Sequence, residues 1–515
     1  MSTATSKHAN PSTRERILTI LAVPLIGLAL GVPWWIHTTS IERRSLGAVE
    51  RLRAVGGEVG KVPVYVGGDG ADVWVEWMGK CKAESDWELV MREGTLMDPS
   101  IQLVNGDDSP YLSNGTLMFP VPDLRHLSHP PSNPTQEECT FIRSLTAQRT
   151  LDQLFPLHPT ELPSHALKYT PDVRLSFVLL NEDSTTGGFT NWEISRAINT
   201  YIDPLTTALA PFHQFTIESQ ILHHAPVKFT PEPRVNGGRK WWSVSQAQAG
   251  VFVNTEQWTL DSGSTNNPVL RFLLFVPRAD RRPLVLEDAT ANTDAGDFPE
   301  LSTFRIPQFG SVVIPSHPSE STHHPGHLAT PHVRAAFRVF QQDLLDLLGV
   351  PRIPAALVRE GTDTSVPNAW QLSALLRTQI RATTADARGT LTSIQRLVAR
   401  IQEMRVDRTV VGDVERAVGL LEEAYPVQGP RLVLAEVWNR TKHATRLADR
   451  AFFNPNMVGL LYFPDEHKYA VYAPLFAPVS VPVVVALVKE LKRWRRKRKA
   501  RVARRSGETR VVEAT

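Results

Sequence analysis

Two runs of 20 residues without a charged side chain lie near opposite ends of this 515-residue chain. The first is Ile17 to Ile36 (ILTILAVPLIGLALGVPWWI); the second is Tyr469 to Val488 (YAVYAPLFAPVSVPVVVALV). As a helix, either would extend about 30 Å at ~1.5 Å per residue, the thickness of a bilayer's hydrocarbon core. The residues between them have an ordinary globular composition. This layout predicts a membrane protein with two terminal transmembrane helices and a large domain on one face.

Charge selects the face. Lys489 to Arg505 (KELKRWRRKRKARVARR) carries eleven Lys or Arg and one Glu. Such a cluster resists translocation and favours the anionic cytosolic leaflet, so the C-terminus is expected in the cytosol. Around the first run, Lys7, Arg14 and Arg16 precede, and Arg43 and Arg44 follow, offset by Glu42. A cleaved signal peptide competes here, because Ala29-Leu30-Gly31 offers small residues at a cleavage position. The apolar stretch nevertheless continues through Trp34-Trp35, which suits a helix end at the lipid–water interface and favours an uncleaved anchor. Both termini are then cytosolic. The whole chain is +3, and the basic tail exceeds that alone, so the middle is net acidic and no nucleic-acid partner is expected.

The two cysteines, Cys81 and Cys139, both fall in the expected lumenal part. An oxidising compartment permits a disulfide between them, and two separate thiols are the other reading. Two sequons are candidate glycosylation sites: Asn114-Gly-Thr, in a turn-like Ser-Asn-Gly, and Asn439-Arg-Thr, in a helical pattern and a poorer acceptor.

The expected divisions are a cytosolic N-terminus (1–16), a first span (17–36) and a lumenal β-rich first lobe (37–165). A lumenal α/β lobe (166–354) and a lumenal helical region (355–468) follow. The second span (469–488) and the basic cytosolic tail (489–515) complete the chain. In the first lobe, Val62 to Val66, Ala71 to Met78 and Trp87 to Val90 read as strands, with Gly67-Gly68-Asp69-Gly70 as a hairpin turn. In the second, strands are predicted over Val173 to Leu180, Phe215 to Leu222, Val269 to Val276 and Pro307 to Pro315. Helices are predicted over Trp192 to Leu209 and from Pro331 to a stop at Gly349. Alternation of this kind suggests an α/β layer. Trp370 to Met404, open to a break at Gly389, then Val410 to Tyr425 and Leu432 to Phe452 read as an antiparallel helical array.

A search for catalytic signatures finds none. Neither HExxH nor GxSxG occurs, and Gly67 to Gly70 lacks phosphate-loop spacing. His317, His323, His324 and His327 sit in a Pro/Ser-rich stretch with Glu320 as the single nearby carboxylate, better read as a solvated loop than as a metal site. Trp241-Trp242 could stack on a sugar, though core burial is the preferred reading. No catalytic, cofactor-binding or metal-binding residue is assigned. The prolines at 474, 478 and 482 recur every four residues, so they share one helical face and free carbonyls that neighbouring helices or water must satisfy. Packing against other helices is expected there, with a merely kinked anchor as the alternative.

Ala451 to Val488 contains an aromatic pair, Asn-Pro, then Leu-Tyr-Phe-Pro-Asp and a proline-spaced apolar end. This order resembles the C-terminal segment of the S subunit of the GPI transamidase, the PIG-S family. Leu175 to Ile221 looks like that family's central strand–helix–strand, Val32 to Thr39 (VPWWIHTT) like the exit of its first span, and Val269 to Pro277 (VLRFLLFVP) matches as well. Residues 55–165 match poorly. The resemblance implies a non-catalytic subunit in the endoplasmic reticulum membrane. Its complex cuts a C-terminal signal from a precursor protein and joins the new carboxyl end to a preassembled GPI glycolipid. The implied partners are the other subunits, including the caspase-like one that supplies the cysteine nucleophile, with membrane lipid, precursor protein and glycolipid beyond them. No cofactor is implied. The competing readings are a stand-alone lumenal membrane-anchored enzyme modifying glycans or lipids, and a membrane tether without lumenal chemistry.

Overall fold

The computed structural model describes residues 44–53, 55, 62–67, 71–81, 87–90, 99–105, 111–113, 116–121, 130–131, 134–136, 139, 166–227, 231–236, 239–245, 248, 250–252, 260, 267–286, 299–358, 365–401, 404, 406–426, 433–458 and 488–500, with 22, 33, 470, 474, 478, 481–482 and 484–486. They belong to two compact units, residues 54–386 with 420–443, and residues 1–53 with 387–419 and 444–515. Among the described residues no helix is long and apolar enough to cross a membrane. The expected first span and most of the second lie outside the described residues.

The first unit begins with strand β1 (Val62–Gly67), helix α1 (Ala71–Cys81) and strands β2 (Trp87–Val90), β3 (Ser100–Asn105), β4 (Tyr111–Ser113) and β5 (Thr116–Val121). They form a sheet in the order β2-β1-β3-β5-β4, parallel except where β4 meets β5. Two expectations are corrected here. Ala71 to Met78 is helical, because its buried residues are Ala71, Trp74, Trp77, Met78 and Cys81, the three-to-four spacing of one helical face. The alternation of Val73 and Val75 suggested a strand, but burial of the tryptophans decides the period. Gly67 to Gly70 therefore leads from a strand into a helix and is no hairpin turn.

The second sheet is built from β6 (Asp172–Asn181), β7 (Gln214–Leu222), β10 (Val269–Val276), β12 (Leu301–Ile306) and β13 (Gly310–Pro315), in the order β12-β13-β10-β6-β7. Only β12 is antiparallel to its neighbour. From β6 the chain crosses to β7 through α2 (Ile194–Ala197), a π-helical turn (Ile198–Ile202) and α3 (Asp203–Leu209). Pro204, at the start of α3, has no N–H to give the preceding turn. A third sheet orders β11 (Leu284–Leu286), β9 (Arg239–Val244) and β8 (Glu232–Asn236).

Both faces of the second sheet are covered. On one, Phe177 of β6 stacks on Phe272 of β10 at 5.1 Å between ring centres and on Phe337 of α4 (Thr330–Leu347) at 5.3 Å. On the other, Val178, Leu180, Leu273, Phe275, Val312 and Ile314 form one core with Val244, Phe252 and Leu284. Helix α4 ends where the sequence predicts, at Gly349 in the left-handed region (φ 77°). Near that end, burial would raise the Asp346 carboxyl, but hydrogen bonds from Arg352 and Arg305 outweigh it and hold it below the ordinary range.

Helix α5 (Ala369–Arg400) runs unbroken through Gly389, whose missing side chain would meet nothing within 4 Å, so the break considered there does not occur. Helices α6 (Arg408–Ala424) and α7 (Leu434–Phe452) follow as predicted. In the first unit, the Thr384 hydroxyl lies 2.8 Å from that of Tyr425, and Arg440 meets Glu423 at 3.4 Å. In the second unit, Asp407 accepts the Thr409 and Val410 N–H groups at 3.0 Å as an N-cap, and Arg450 grips Asp413 with two hydrogen bonds of 2.7 and 2.5 Å. The Arg388 guanidinium donates to the Leu52 carbonyl at 3.2 Å.

Two outcomes follow from this core. Phe177→Ala is expected to lower unfolding free energy by about 3–5 kcal/mol, measured by chemical denaturation. His213 is buried and gives its Nδ1 proton to the Thr170 carbonyl at 2.7 Å, leaving Nε2 enclosed without a partner. Burial holds its pKa below the ordinary imidazole range, against the opposing pull of the Thr170 bond. The unfolded chain therefore takes up a proton near pH 6.5 that the folded chain refuses until lower pH. Stability falls as pH drops through that window, by at most about 1.4 kcal/mol per pH unit from this group. Denaturation midpoints at pH 7 and pH 5 should show the fall, and His213→Gln should reduce it.

Candidate functional site

Strands β6, β10 and β13 run parallel and end at one edge of the second sheet. From β6 the chain moves outward to β7, whereas after β10 it passes through β11 and the edge strand β12 to reach β13, on the opposite side of β10. A reversal of this kind opens a crevice at the carboxyl ends of the strands, the usual ligand position in open α/β sheets. Loops 182–193, 277–283 and 316–329 meet there: the Ala279 N–H donates to Thr186 O at 3.0 Å, and the Thr190 N–H to Gly326 O at 2.8 Å.

The first two loops are fixed by polar residues at the end of β6. Asn181, fully buried, donates from Nδ2 to the carbonyls of Phe189 (2.8 Å) and Leu222 (3.3 Å), and its Oδ1 accepts the Phe189 N–H at 2.8 Å. Glu182 is 3% exposed, and its carboxylate accepts the Arg278 N–H at 3.0 Å and Arg281 Nη1 at 2.5 Å. Arg282 donates from Nε to Pro277 O at 2.8 Å and from Nη2 to Gly187 O at 2.5 Å. Burial lowers the Arg282 pKa, and the Glu182 charge works against that. Gly187 has φ 86°, and a Cβ on Gly188 would fall 2.5 Å from Ser184 Cα, so both positions require glycine. Asp183 is held below the ordinary carboxylate range, first by the Thr185 hydroxyl and then by its N–H.

In the third loop, Glu320 accepts the Gly326 N–H and His327 bridges to Asn191. The rings of His324 and His327 lie 5.3 Å apart, and His317, His323 and His324 are exposed. Among the described residues no three His, Cys, Asp or Glu side chains are grouped to hold a metal ion. The crevice is thus cross-braced by its own charges. Both Glu182 oxygens are engaged, which makes this carboxylate a clamp between two loops.

The residues singled out from sequence lie elsewhere. Cys81, at the end of α1, and Cys139 are joined by a disulfide, with their Cα atoms 5.1 Å apart. Asn114 lies outside the described residues, between the antiparallel strands β4 and β5. Asn439 is exposed on α7, but the hydroxyl of its sequon threonine, Thr441, is buried and donates to the Trp438 carbonyl at 3.1 Å. Pro474, Pro478 and Pro482 have helical backbone and are exposed. Trp241 and Trp242 are half-buried on β9; Trp242 Nε1 donates to Asp280 O at 3.1 Å beneath Lys240. Sequence reasoning passed over Asn181 and Glu182. The available signal was an Asn-Glu-Asp run directly after a long apolar strand.

Comparison with known proteins adds a family. The profile of the phosphatidylinositol-glycan biosynthesis class S proteins, PIG-S, matches residues 136–497. The GPI-anchor transamidase component PIGS of Mus musculus is 28% identical over 329 residues, covering 63% of this chain and 58% of its own. The same component of Homo sapiens is 28% identical over 343 residues, covering 65% and 60%. The GPI transamidase component PIG-S homolog of Schizosaccharomyces pombe is 29% identical over 335 residues, covering 65% and 56%. The matched part thus spans less than two thirds of these relatives.

Glu182→Gln should weaken the clamp by leaving Arg281 without its counter-charge. The expected loss is about 1–3 kcal/mol of unfolding free energy, with faster exchange of the Arg278 amide by hydrogen–deuterium exchange.

Proposed function

Because the chain belongs to the phosphatidylinositol-glycan biosynthesis class S family, we infer that it serves as a subunit of a GPI transamidase complex. The observation that carries this reading is the continuous family match from residue 136 to residue 497, through the second sheet, helices α4 to α7 and into the basic C-terminal helix. That complex attaches preassembled GPI anchors to the C-termini of precursor proteins in the endoplasmic reticulum.

Within it, the chain is a scaffolding and substrate-recognition subunit. Supporting this are the two cysteines, both engaged in a disulfide and so unavailable as a thiolate nucleophile. The nucleophile belongs to the caspase-like partner. Residues 17–36 and 469–488 cross the membrane, the bulk is lumenal with a glycan at Asn114, and both termini are cytosolic. The basic helix over 488–500 supports that orientation, with Trp494 exposed beneath Arg498 at 5.4 Å, a fitting arrangement for a headgroup layer. Two anchors confine the domain near the surface where glycolipid and precursor tail arrive, which raises their effective concentration. The proline face of the second span packs against helices of other subunits.

Purification of the tagged full chain in mild detergent tests the assignment. Stoichiometric co-recovery of the other subunits, read by mass spectrometry, is expected; an active chain recovered alone would establish the stand-alone enzyme instead. Pro478→Leu should reduce recovery of the partners, and unchanged recovery would show that this face is not a contact.

A further inference from the structure

In the second unit, the chain that follows the first apolar run is packed against helices. The Arg44 N–H donates to the Val406 carbonyl at 3.3 Å, and Leu46, Val49 and Leu52 are buried. Val406 lies between α5 and α6, directly before the start of α6, and is itself buried. The end of α7 returns to the same place. Asn454 Nδ2 donates to Thr409 Oγ1 at 3.3 Å, and Met457, in the short helix Pro455–Val458, is buried. Arg44, the start of α6 and the end of α7 therefore share one end of this unit.

That end carries an exposed aromatic ring and an exposed cation. Phe453 is 72% exposed and meets Phe452 edge-on, with ring centres 5.0 Å apart. Among the described residues outside the second span and its helical continuation, no other phenylalanine or tryptophan is so exposed. Arg408, the first residue of α6, is exposed, while the preceding Asp407 carboxylate is engaged by the Thr409 hydroxyl and the N–H groups of Thr409 and Val410. Both connections to the bilayer leave from here. On the span assignment proposed above, Arg44 follows Ile36 by 8 residues and Tyr469 follows Val458 by 11. Fully extended, those stretches reach at most about 28 and 38 Å. Two tethers rooted at one end of a body hold that end toward the membrane.

We propose that this end of the second unit rests on the lumenal leaflet of the bilayer. Phe453 enters the lipid–water interface, and the Arg408 guanidinium meets a lipid phosphate. Phospholipid is the occupant because both span connections root in this surface and keep it within reach of the bilayer. An aromatic ring with a nearby arginine is the pairing that interfacial membrane-binding elements use. The contact adds a third attachment to the two spans and so fixes the tilt of the unit against the membrane. It rests on the two-span, lumenal reading and extends that reading to a named surface.

The test places a photoreactive benzophenone residue at position 453 of the full chain in intact microsomes and identifies its adducts by mass spectrometry. A second variant carries the group at position 408, so the test survives if one replacement impairs folding. Phospholipid adducts are expected from both positions. The same group at Glu415, exposed on α6 about two turns from its start, should give none. Phe453→Asp should cut the yield of lipid adducts from position 408 about tenfold, because a carboxylate resists entry into the interface. Adducts to another protein in place of lipid, no lipid adduct from either position, equal lipid labelling at Glu415, or an unchanged yield with Phe453→Asp would each overturn the proposal. Protease added outside the microsomes tests the span reading separately. Protection of residues 44–458 without lipid adducts removes this contact and leaves the two spans standing, whereas digestion of that part removes both.

Discussion

Everything in the α/β part of this molecule depends on two strands having no exposed face. Strands β6 and β10 lie side by side in the middle of a largely parallel sheet, and consecutive residues along each are buried. Such strands are stable only when both faces are covered. Helix α4 covers one face through the Phe177, Phe337 and Phe340 cluster, and the small sheet with β9 and β11 covers the other through Val244 and Leu284. The apolar text of LSFVLL and VLRFLLFV, interrupted once in each by Ser176 and Arg271, is the direct record of that double burial.

The same burial dictates what happens where the strands end. A chain leaving a fully apolar interior must satisfy its polar groups at once. Asn181 and Glu182 do so within two residues, one by bonding the backbone of its own loop and of β7, the other by clamping the loop after β10. At the crevice edge Asn181 and Glu182 thus tie three chain segments together through their side chains.

The elements legible in the sequence were those with one dominant period. Strands β6 and β10 and helices α4 to α7 announce themselves through apolar runs or 3.6-residue repeats, because their burial is one-sided or total. Helix α1 did not: Val73 and Val75 alternate, and only the tertiary burial of Trp74 and Trp77 shows which period prevails. Strands β3 and β5 lie in or beside a stretch dense in Pro, Ser and Asn, where turn-forming residues mask short strands. In β12, the pattern LSTFRI gains its strand character from pairing with β13, information that no local window contains. The crevice was unreadable for the same reason, since Glu182 and Arg281 are 99 residues apart and meet only after the sheet forms.

The bond between Cys81 and Cys139 also has a consequence for how this lineage can vary. The family profile begins at residue 136, so one sulfur belongs to the shared part and the other to the portion upstream of it. Closing a loop with a separation of 58 residues is worth about 4 kcal/mol in the chain-entropy treatment. A covalent tether of that strength lets the upstream portion drift in sequence without coming adrift, and it ties correct maturation to an oxidising compartment.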